Sequence, residues 1–236
     1  MRNELSAITL TDQVEDKIIE YIKENHLVPG DPLPNEMFFS EMLGISRNVV
    51  RESMSRLRML GLMRSRTRKG IVLTEPPLLI GFKKVVDPQF LSVGTMKDIM
   101  GVRISLEIGV AELFFNNLKK ADIDELEEIV SKEQKIEINN PPVEDEIRFH
   151  SKIYKIAGNN FIQQFNKIIY PVVVFAKQNY DTFFQPFNKR LLDNGEIVTH
   201  FDLLQHIKKY DKTGYQNAMR GHLKPYMEFM NSNLND

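Results

Sequence analysis

Apolar positions along the first third of the chain recur at helical spacing and are punctuated by glycine. Val14, Ile18 and Ile22 repeat every four residues between Glu15, Lys17, Glu20 and Lys23, which predicts a first helix over 11–25, capped by Thr11 or Asp12. A turn follows at Val28-Pro29-Gly30-Asp31-Pro32. Asn35 opens a second helix carrying Phe38, Phe39, Met42 and Leu43, and Gly44 stops it. Ser46 then caps a third helix to about Leu60, ended by Gly61. Two helices joined by a tight glycine turn have helix-turn-helix spacing. Two short β-prone runs, 62–65 and 71–74, flank a basic loop from Arg66 to Gly70 and predict a hairpin. Glu75-Pro76-Pro77 breaks the pattern and ends a first domain over 1–75.

A linker is expected over 76–95, and from Met96 the pattern is helical to the end. Ile99, Val102, Leu106, Val110 and Leu113 form one stripe of a helix over 96–119. Further helices are expected over 121–134, 144–157, 161–184 with a kink or split at Pro171, 187–210 weakened by Gly195, and 213–230 with a possible kink at Pro225. Asn139-Asn140-Pro141-Pro142 is a break. The expected fold is mainly α: a winged helix-turn-helix (three helices and a β-hairpin wing), then an all-α bundle of six to seven helices over 96–236.

Composition narrows the function. The chain has no cysteine, which excludes thiol catalysis, disulfides and cysteine-based zinc sites and fits a reducing cytoplasm. No apolar run approaches the roughly 20 residues of a membrane span, and residues 1–10 lack a signal-peptide core, so a cytoplasmic protein is expected. The formal net charge of −1 argues against nucleic acid until its distribution is considered. Between Gly44 and Leu73, eight basic residues face the single acid Glu52. Such a local excess is an electrostatic footprint for phosphates, although a charge run alone is more often a solvated face.

Spacing favours the footprint. On the third helix, Val50, Met54 and Leu57 point inward, while Arg47, Arg51, Ser55 and Arg58 share the outward face, with Ser46 and Asn48 at its start. Arginine can grip guanine bidentately, asparagine can pair with adenine, and Ser46 can reach a phosphate while capping the helix. Arg66, Arg68 and Lys69 at the hairpin tip can enter a minor groove or hold the backbone, and Gly70 permits close approach. The runs 30–36 (Gly-Asp-Pro-Leu-Pro-Asn-Glu), 43–52 (Leu-Gly-Ile-Ser-Arg-Asn-Val-Val-Arg-Glu), Leu57…Gly61-Leu62 and Arg68-Lys69-Gly70 closely resemble the winged-helix domain of the GntR family. The resemblance implies DNA contacts by Ser46, Arg47, Asn48, Arg51 and the wing around Lys69-Gly70. One position departs: many members carry a basic residue after the glutamate of Leu-Pro-x-Glu, and here it is Met37.

The second domain holds four of the five histidines. Glu146 and His150 are one helical turn apart and can chelate one ion, and His200 and His222 can converge on the same point from later helices. Ligand type alone does not choose among Zn²⁺, Ni²⁺, Mn²⁺ and Fe²⁺. Dispersed histidines that pack singly are the plainer alternative. Val102-Arg103…Leu106-Glu107, Glu146-x-x-Phe149-His150, Ala157-Gly158-Asn159, His200 and Asp211…Ala218-Met219-x-x-His222-Leu223 look like the FCD domain of the FadR-type branch. That resemblance implies a divalent metal on Glu146, His150, His200 and His222, with glutamate where the family has aspartate. Asp145 is an alternative ligand about 100° round the helix. Arg103 can hold an effector carboxylate bidentately, or pair with Glu107 or Glu146 instead.

The functional expectation is a DNA-binding transcription regulator, a repressor. Two chains would pair as a homodimer on a palindromic operator in double-stranded DNA, with recognition helices about one turn apart. A small organic acid bound at the metal would control operator affinity. A metal-free regulator using Arg103 and polar groups is the alternative, and a metal-dependent hydrolase is the remote one.

Overall fold

In the computed structural model, residues 9–68, 70–133 and 143–233 are described. The chain divides into two compact units that part between Gly81 and Phe82.

The first unit opens with α1 (Leu10–Glu24). Its cap is Thr9, two residues before the expected one. The Thr9 hydroxyl accepts from Asp12 N at 3.1 Å, and the Asp12 carboxylate accepts from Thr9 N at 3.0 Å. This reciprocal pair satisfies two free helix-end donors, so Asp12 serves inside the helix and not as its cap. Asn35 caps α2 (Glu36–Leu43), and Gly44, with φ of 66°, ends it. The third helix, α3, runs Arg47–Met59. Ser46 is its N-cap residue, yet its side chain makes no cap hydrogen bond, contrary to expectation. Two strands, β2 (Met63–Arg66) and β3 (Gly70–Leu73), form the expected hairpin.

A further strand was hidden in the first turn. Residues Pro32–Leu33 form β1, and the antiparallel sheet order is β1-β3-β2, with Leu33 opposite Ile71 and Ser65 opposite Ile71 on the other side. Pro32 is tolerated because β1 is an edge strand. Val14, Ile18, Phe39, Val50, Met54 and Leu57 close the core beneath the hairpin. The buried Ser53 hydroxyl ties α3 to α1 by donating to Thr11 O at 2.9 Å. Gly61 has φ of +78°, and a Cβ there would lie 2.5 Å from Pro77 Cδ, so glycine lets the chain leaving the sheet pack against the end of α3.

Residues expected to be linker contain a short helix, α4 (Ile80–Val85), and a 3-10 turn at Pro88–Phe90. The second unit then holds α5 (Val93–Gly109), α6 (Ala111–Asn117), α7 (Lys120–Glu133), α8 (Val143–Ala157), α9 (Asn160–Asn179), α10 (Asp181–Asp193), α11 (His200–Lys208), α12 (Lys212–His222) and α13 (Lys224–Asn231). Among the described residues these nine helices exceed the six to seven expected, because long helical patterns divide. The 96–119 pattern breaks at Val110, between α5 and α6. Pro171 neither splits nor ends α9, whose buried Val172, Val173 and Ala176 hold it in the bundle. Its break comes at Tyr180 instead, and α10 carries Pro186. Gly195, with φ of +68°, lies in the gap between α10 and α11. Pro225 sits in the first turn of α13, where its missing N–H costs nothing. Gln134 and the 139–142 break lie outside the described residues.

The second core gathers Phe114, Phe149, Ile153, Leu203, Tyr215, Met219 and Phe229, each fully buried. Burying such a side chain is worth about 1.5–3 kcal/mol. The inward face of α5 is not the predicted stripe. Val102 and Leu113 are exposed, and Met96, Met100, Arg103 and Glu107 are buried instead. Among the described residues no helix is long and apolar enough to cross a membrane.

Candidate functional site

On the first unit, α3 presents Arg47, Asn48 and Arg51 to solvent beside the exposed Ser46. The Arg51 guanidinium donates to Asn48 Oδ1 at 2.8 Å, so the two candidate base-reading side chains are held together. Other arginines of the basic run have structural work. Arg56 meets Asp12 at 3.0 Å, Glu15 at 3.6 Å and Glu52 at 2.9 Å, which clamps α3 to α1. Arg58 meets Glu36 of α2 at 3.3 Å. That leaves Arg47, Arg51, Arg64, Arg66 and Arg68 as exposed cations of this face among the described residues. At the wing, Arg68 adopts φ of +70°, unusual for a side-chain-bearing residue, and Gly70 also has φ of +70° with open space around it. Lys69 lies outside the described residues. Met37 is exposed on α2, an apolar group where a cation is more usual in the family.

Inside the second unit, Glu146, His150, His200 and His222 converge, with ligand atoms all within 4.8 Å of one another. One turn of α8 sets Glu146 and His150 on its inner face. His200 opens α11, whose start is fixed by a capping box between Thr199 and Asp202. The Phe149 ring stacks on the His200 ring at 4.2 Å. His222 closes α12. Beside it, a Cβ on Gly221 would come within 2.7 Å of Val198 Cγ2, so glycine lets the Val198 segment approach.

Each imidazole has its Nδ1 turned to an acceptor. His200 Nδ1 lies 2.8 Å from Glu133 Oε2, and His222 Nδ1 lies 2.9 Å from the Val198 carbonyl. His150 Nδ1 approaches Glu107 Oε2 at 2.9 Å as an ion pair, without an aligned hydrogen bond. An Nδ1 proton held this way leaves Nε2 as a lone-pair donor. The three Nε2 atoms point at one another: His150 to His222 is 3.3 Å, and His150 to His200 is 3.4 Å. Glu146 stands 3.5 Å from His150 Nε2, 3.8 Å from His200 Nε2 and 3.9 Å from His222 Nε2. Ligands at about 2.1 Å from a tetrahedral ion are separated by roughly 3.4 Å. The donor set therefore fits a divalent metal. The longer glutamate does not withdraw from the cluster. Asp145 turns instead to Arg148 at 3.2 Å. His206 pairs with Asp211 at 2.8 Å, and His26 belongs to the other unit.

Arg103 is fully buried beside the cluster. Its Nη2 donates to Glu146 Oε1 at 2.8 Å, and its Nε lies 3.5 Å from Glu107 Oε1. The Tyr226 hydroxyl also donates to Glu146 Oε1, at 3.1 Å, and the Tyr226 ring lies 4.6 Å from the guanidinium. Arg103 thus takes the ion pairs weighed as its alternative role, while its Nη1 has no hydrogen-bond partner. Burial opposes every charge here, and the neighbours decide the outcome. Burial would raise Glu146, yet Lys177 and then His150 hold it well below the usual carboxylate range. Burial would lower His150, yet Glu107 and Glu146 push it up to about 9. Burial and the adjacent His200 push His222 down to about 3, so it is neutral and ready to donate.

Sequence reasoning missed Glu133, Val198, Lys177 and Tyr226. Glu107 was visible as a partner of Arg103 through its four-residue spacing, but its approach to His150 was not. Glu133 and Val198 carry no local signal, because each acts on a residue more than twenty positions away.

Residues 10–73 match the model of bacterial regulatory proteins of the gntR family, and residues 98–225 match the FCD domain. The chain is 27% identical over 152 residues to the uncharacterized HTH-type transcriptional regulator YcbG of Bacillus subtilis (strain 168), covering 64% of this chain and 63% of that protein. It is 27% identical over 143 residues to the HTH-type transcriptional regulator LutR of the same organism, covering 60% and 65%. The chain thus spans slightly under two thirds of the length of both relatives. The HTH-type transcriptional repressor NanR of Enterobacter sp. (strain 638) is 20% identical over 234 residues, covering 94% of this chain and 85% of that protein.

Proposed function

Because this chain belongs to the gntR family of bacterial regulatory proteins and carries an FCD domain behind its winged helix, we propose that it is a metal-dependent, ligand-responsive repressor. As a member of that family it is a transcription regulator and not an enzyme. The reading divides it into a DNA-binding domain over 1–75, a linker over 76–95 and a sensor over 96–236. Ser46, Arg47, Asn48 and Arg51 read or position an operator, and Arg66, Arg68, Lys69 and Gly70 of the wing hold the adjacent backbone or minor groove. Two chains act as a homodimer on a palindromic site. The repressor role follows the printed name of NanR.

The observation that carries the sensor reading is the set of three Nε2 atoms turned toward one another beside Glu146, with the Nδ1 of His200 and His222 held by acceptors and that of His150 facing Glu107. A divalent ion on Glu146, His150, His200 and His222 supplies open coordination positions for a small organic acid. Arg103 Nη1, buried and unpartnered, gives that acid a second anchor. The acid must favour one arrangement of the DNA-binding heads over another, or nothing switches.

The test is fluorescence anisotropy of the metal-loaded protein on its own promoter fragment, with malonate, citrate and gluconate added in turn. At least one acid is expected to weaken DNA binding by about tenfold, a coupling of ~1.4 kcal/mol, and His200→Ala should remove that response while keeping DNA affinity. A response that survives both His200→Ala and chelator would transfer the effector to Arg103 alone, the metal-free alternative. No response to any carboxylate would overturn the organic-acid reading.

A further inference from the structure

A groove of about 460 Å³ lies beside α8 and α9. Its walls are Pro88 of the 3-10 turn, Ile147 and Ser151 of α8, and Pro171, Val174 and Phe175 of α9. Ile147 and Ser151 each follow a candidate metal ligand by one residue, so they face about 100° away from the cluster. The volume falls within the roughly 300–1,000 Å³ of small-molecule sites.

Two polar groups make this more than an apolar furrow. Asn166 is 4% exposed and lines the groove, and its Oδ1 has no partner. Its Nδ2 reaches only Ser151 Oγ, at 3.5 Å, so turning the amide over would leave its other end unsatisfied. Tyr170 is 6% exposed and lines the same groove, while its hydroxyl belongs to the inner site, where Glu146, Arg103 and Tyr226 act on it. An unmet buried polar atom costs about 1–3 kcal/mol, and Asn166 Oδ1 marks a place where a ligand's polar group repays burial. Lys167 supplies the one charged side chain among the lining residues, and it is exposed at the rim.

We propose that this groove is a second ligand site, distinct from the metal cluster, for an amphipathic aromatic acid. The flat apolar body lies against Pro171, Val174 and Phe175. Its acid group meets Lys167, and a hydroxyl or amine at the inner end meets Asn166. Pro88 forms part of the wall, so the bound molecule touches the segment leading from the DNA-binding unit as well as the sensor helices. Tyr170 is also the shared wall toward the inner site, with its ring 5.9 Å from the Arg103 guanidinium.

The probe is 1-anilinonaphthalene-8-sulfonate, which carries an aromatic body, an anionic group and an N–H donor. Titrated into the full-length metal-loaded protein, it should bind saturably at about one per chain, and Lys167→Glu should weaken it about tenfold or more. Val174→Arg, which fills the apolar wall, should abolish binding, and 4-hydroxyphenylacetate should compete. His200→Ala should leave the affinity within about twofold, so failure of the metal reading would not imitate failure of this one. The chain has no tryptophan. Gln178→Trp at the groove rim should therefore lose most of its emission to the bound probe, while Phe201→Trp on α11 should lose less. Binding unchanged by both Lys167→Glu and Val174→Arg, or equal transfer from both reporters, would overturn the proposal. So would binding that appears only when dimers are diluted to monomers, which would make the groove a contact between chains.

Discussion

The DNA-facing helix and the buried histidine cluster solve opposite problems. On α3 the candidate readers sit within six residues of one another, Ser46 to Arg51, and every one is exposed. Water solvates their charges, and the cost of keeping them is small. In the cluster, Glu146, His150, His200 and His222 span more than seventy residues, and three of the four are buried. There each charge must be matched by another buried group, so Arg103, Glu107, Glu133 and the Val198 carbonyl are as necessary as the ligands. An exposed site can be built from one segment. A buried one enlists partners from α5, α7, α8, α12 and the chain before α11.

That contrast predicts the largest effect at Arg103. Arg103→Met takes from the buried Glu107 and Glu146 a cation that His150 and Lys177 replace only in part, and breaking such a network costs about 3–5 kcal/mol. Thermal melts of metal-free protein should show a large fall in Tm. A fall no greater than that of an exposed arginine would erase the distinction between the two regions.

Arg51→Ala supplies the opposite case. It should weaken operator binding by about 1–3 kcal/mol and relax base preference, with stability changed by no more than about 0.5 kcal/mol. Anisotropy and a melt on the same sample check both halves.

The same contrast explains what the sequence made legible. Helix-turn-helix spacing, the wing and the outward arginines are local, so periodicity and glycine punctuation reveal them. In the cluster, spacing paired only Glu146 with His150 on one helix face, and the full set of four came from the resemblance to the FCD domain. The face of α5 was not: Ile99, Val102 and Leu106 suggested an apolar stripe, but Arg103 and Glu107 occupy the interior because the cluster needs their charge. Periodicity assumes that buried means apolar, and that assumption fails where a polar site lies inside the core. The two-residue β1 was equally hidden, since the strand it pairs with, β3, lies nearly forty residues on.

Glu133→Gln sharpens the comparison at intermediate size. It keeps the shape beside His200 Nδ1 and removes the charge, so metal affinity should fall about 10–100-fold while the ligands remain. Competition against a chromophoric chelator measures it, and an unchanged affinity would reduce Glu133 to a packing residue.

The smallest effect concerns protons. With His150 raised to about 9, the metal-free site holds a proton at neutral pH that an incoming ion must displace. Apparent metal affinity should therefore rise by up to about tenfold per pH unit until pH reaches about 9, then flatten. His222, pushed down to about 3, is already neutral across this range and releases none. Calorimetry in buffers of different ionisation enthalpy should report about one proton released per site near pH 7.5. Zero released would mean that His150 is neutral before binding.

The most direct test of the central claim is element analysis by mass spectrometry on untagged protein kept away from chelators, comparing wild type with His150→Ala and His222→Ala. About one divalent metal per chain in wild type, lost in both variants while each still melts cooperatively, is the expected result. No stoichiometric metal in wild type, or metal retained by both variants, would contradict a metal centre built from Glu146, His150, His200 and His222.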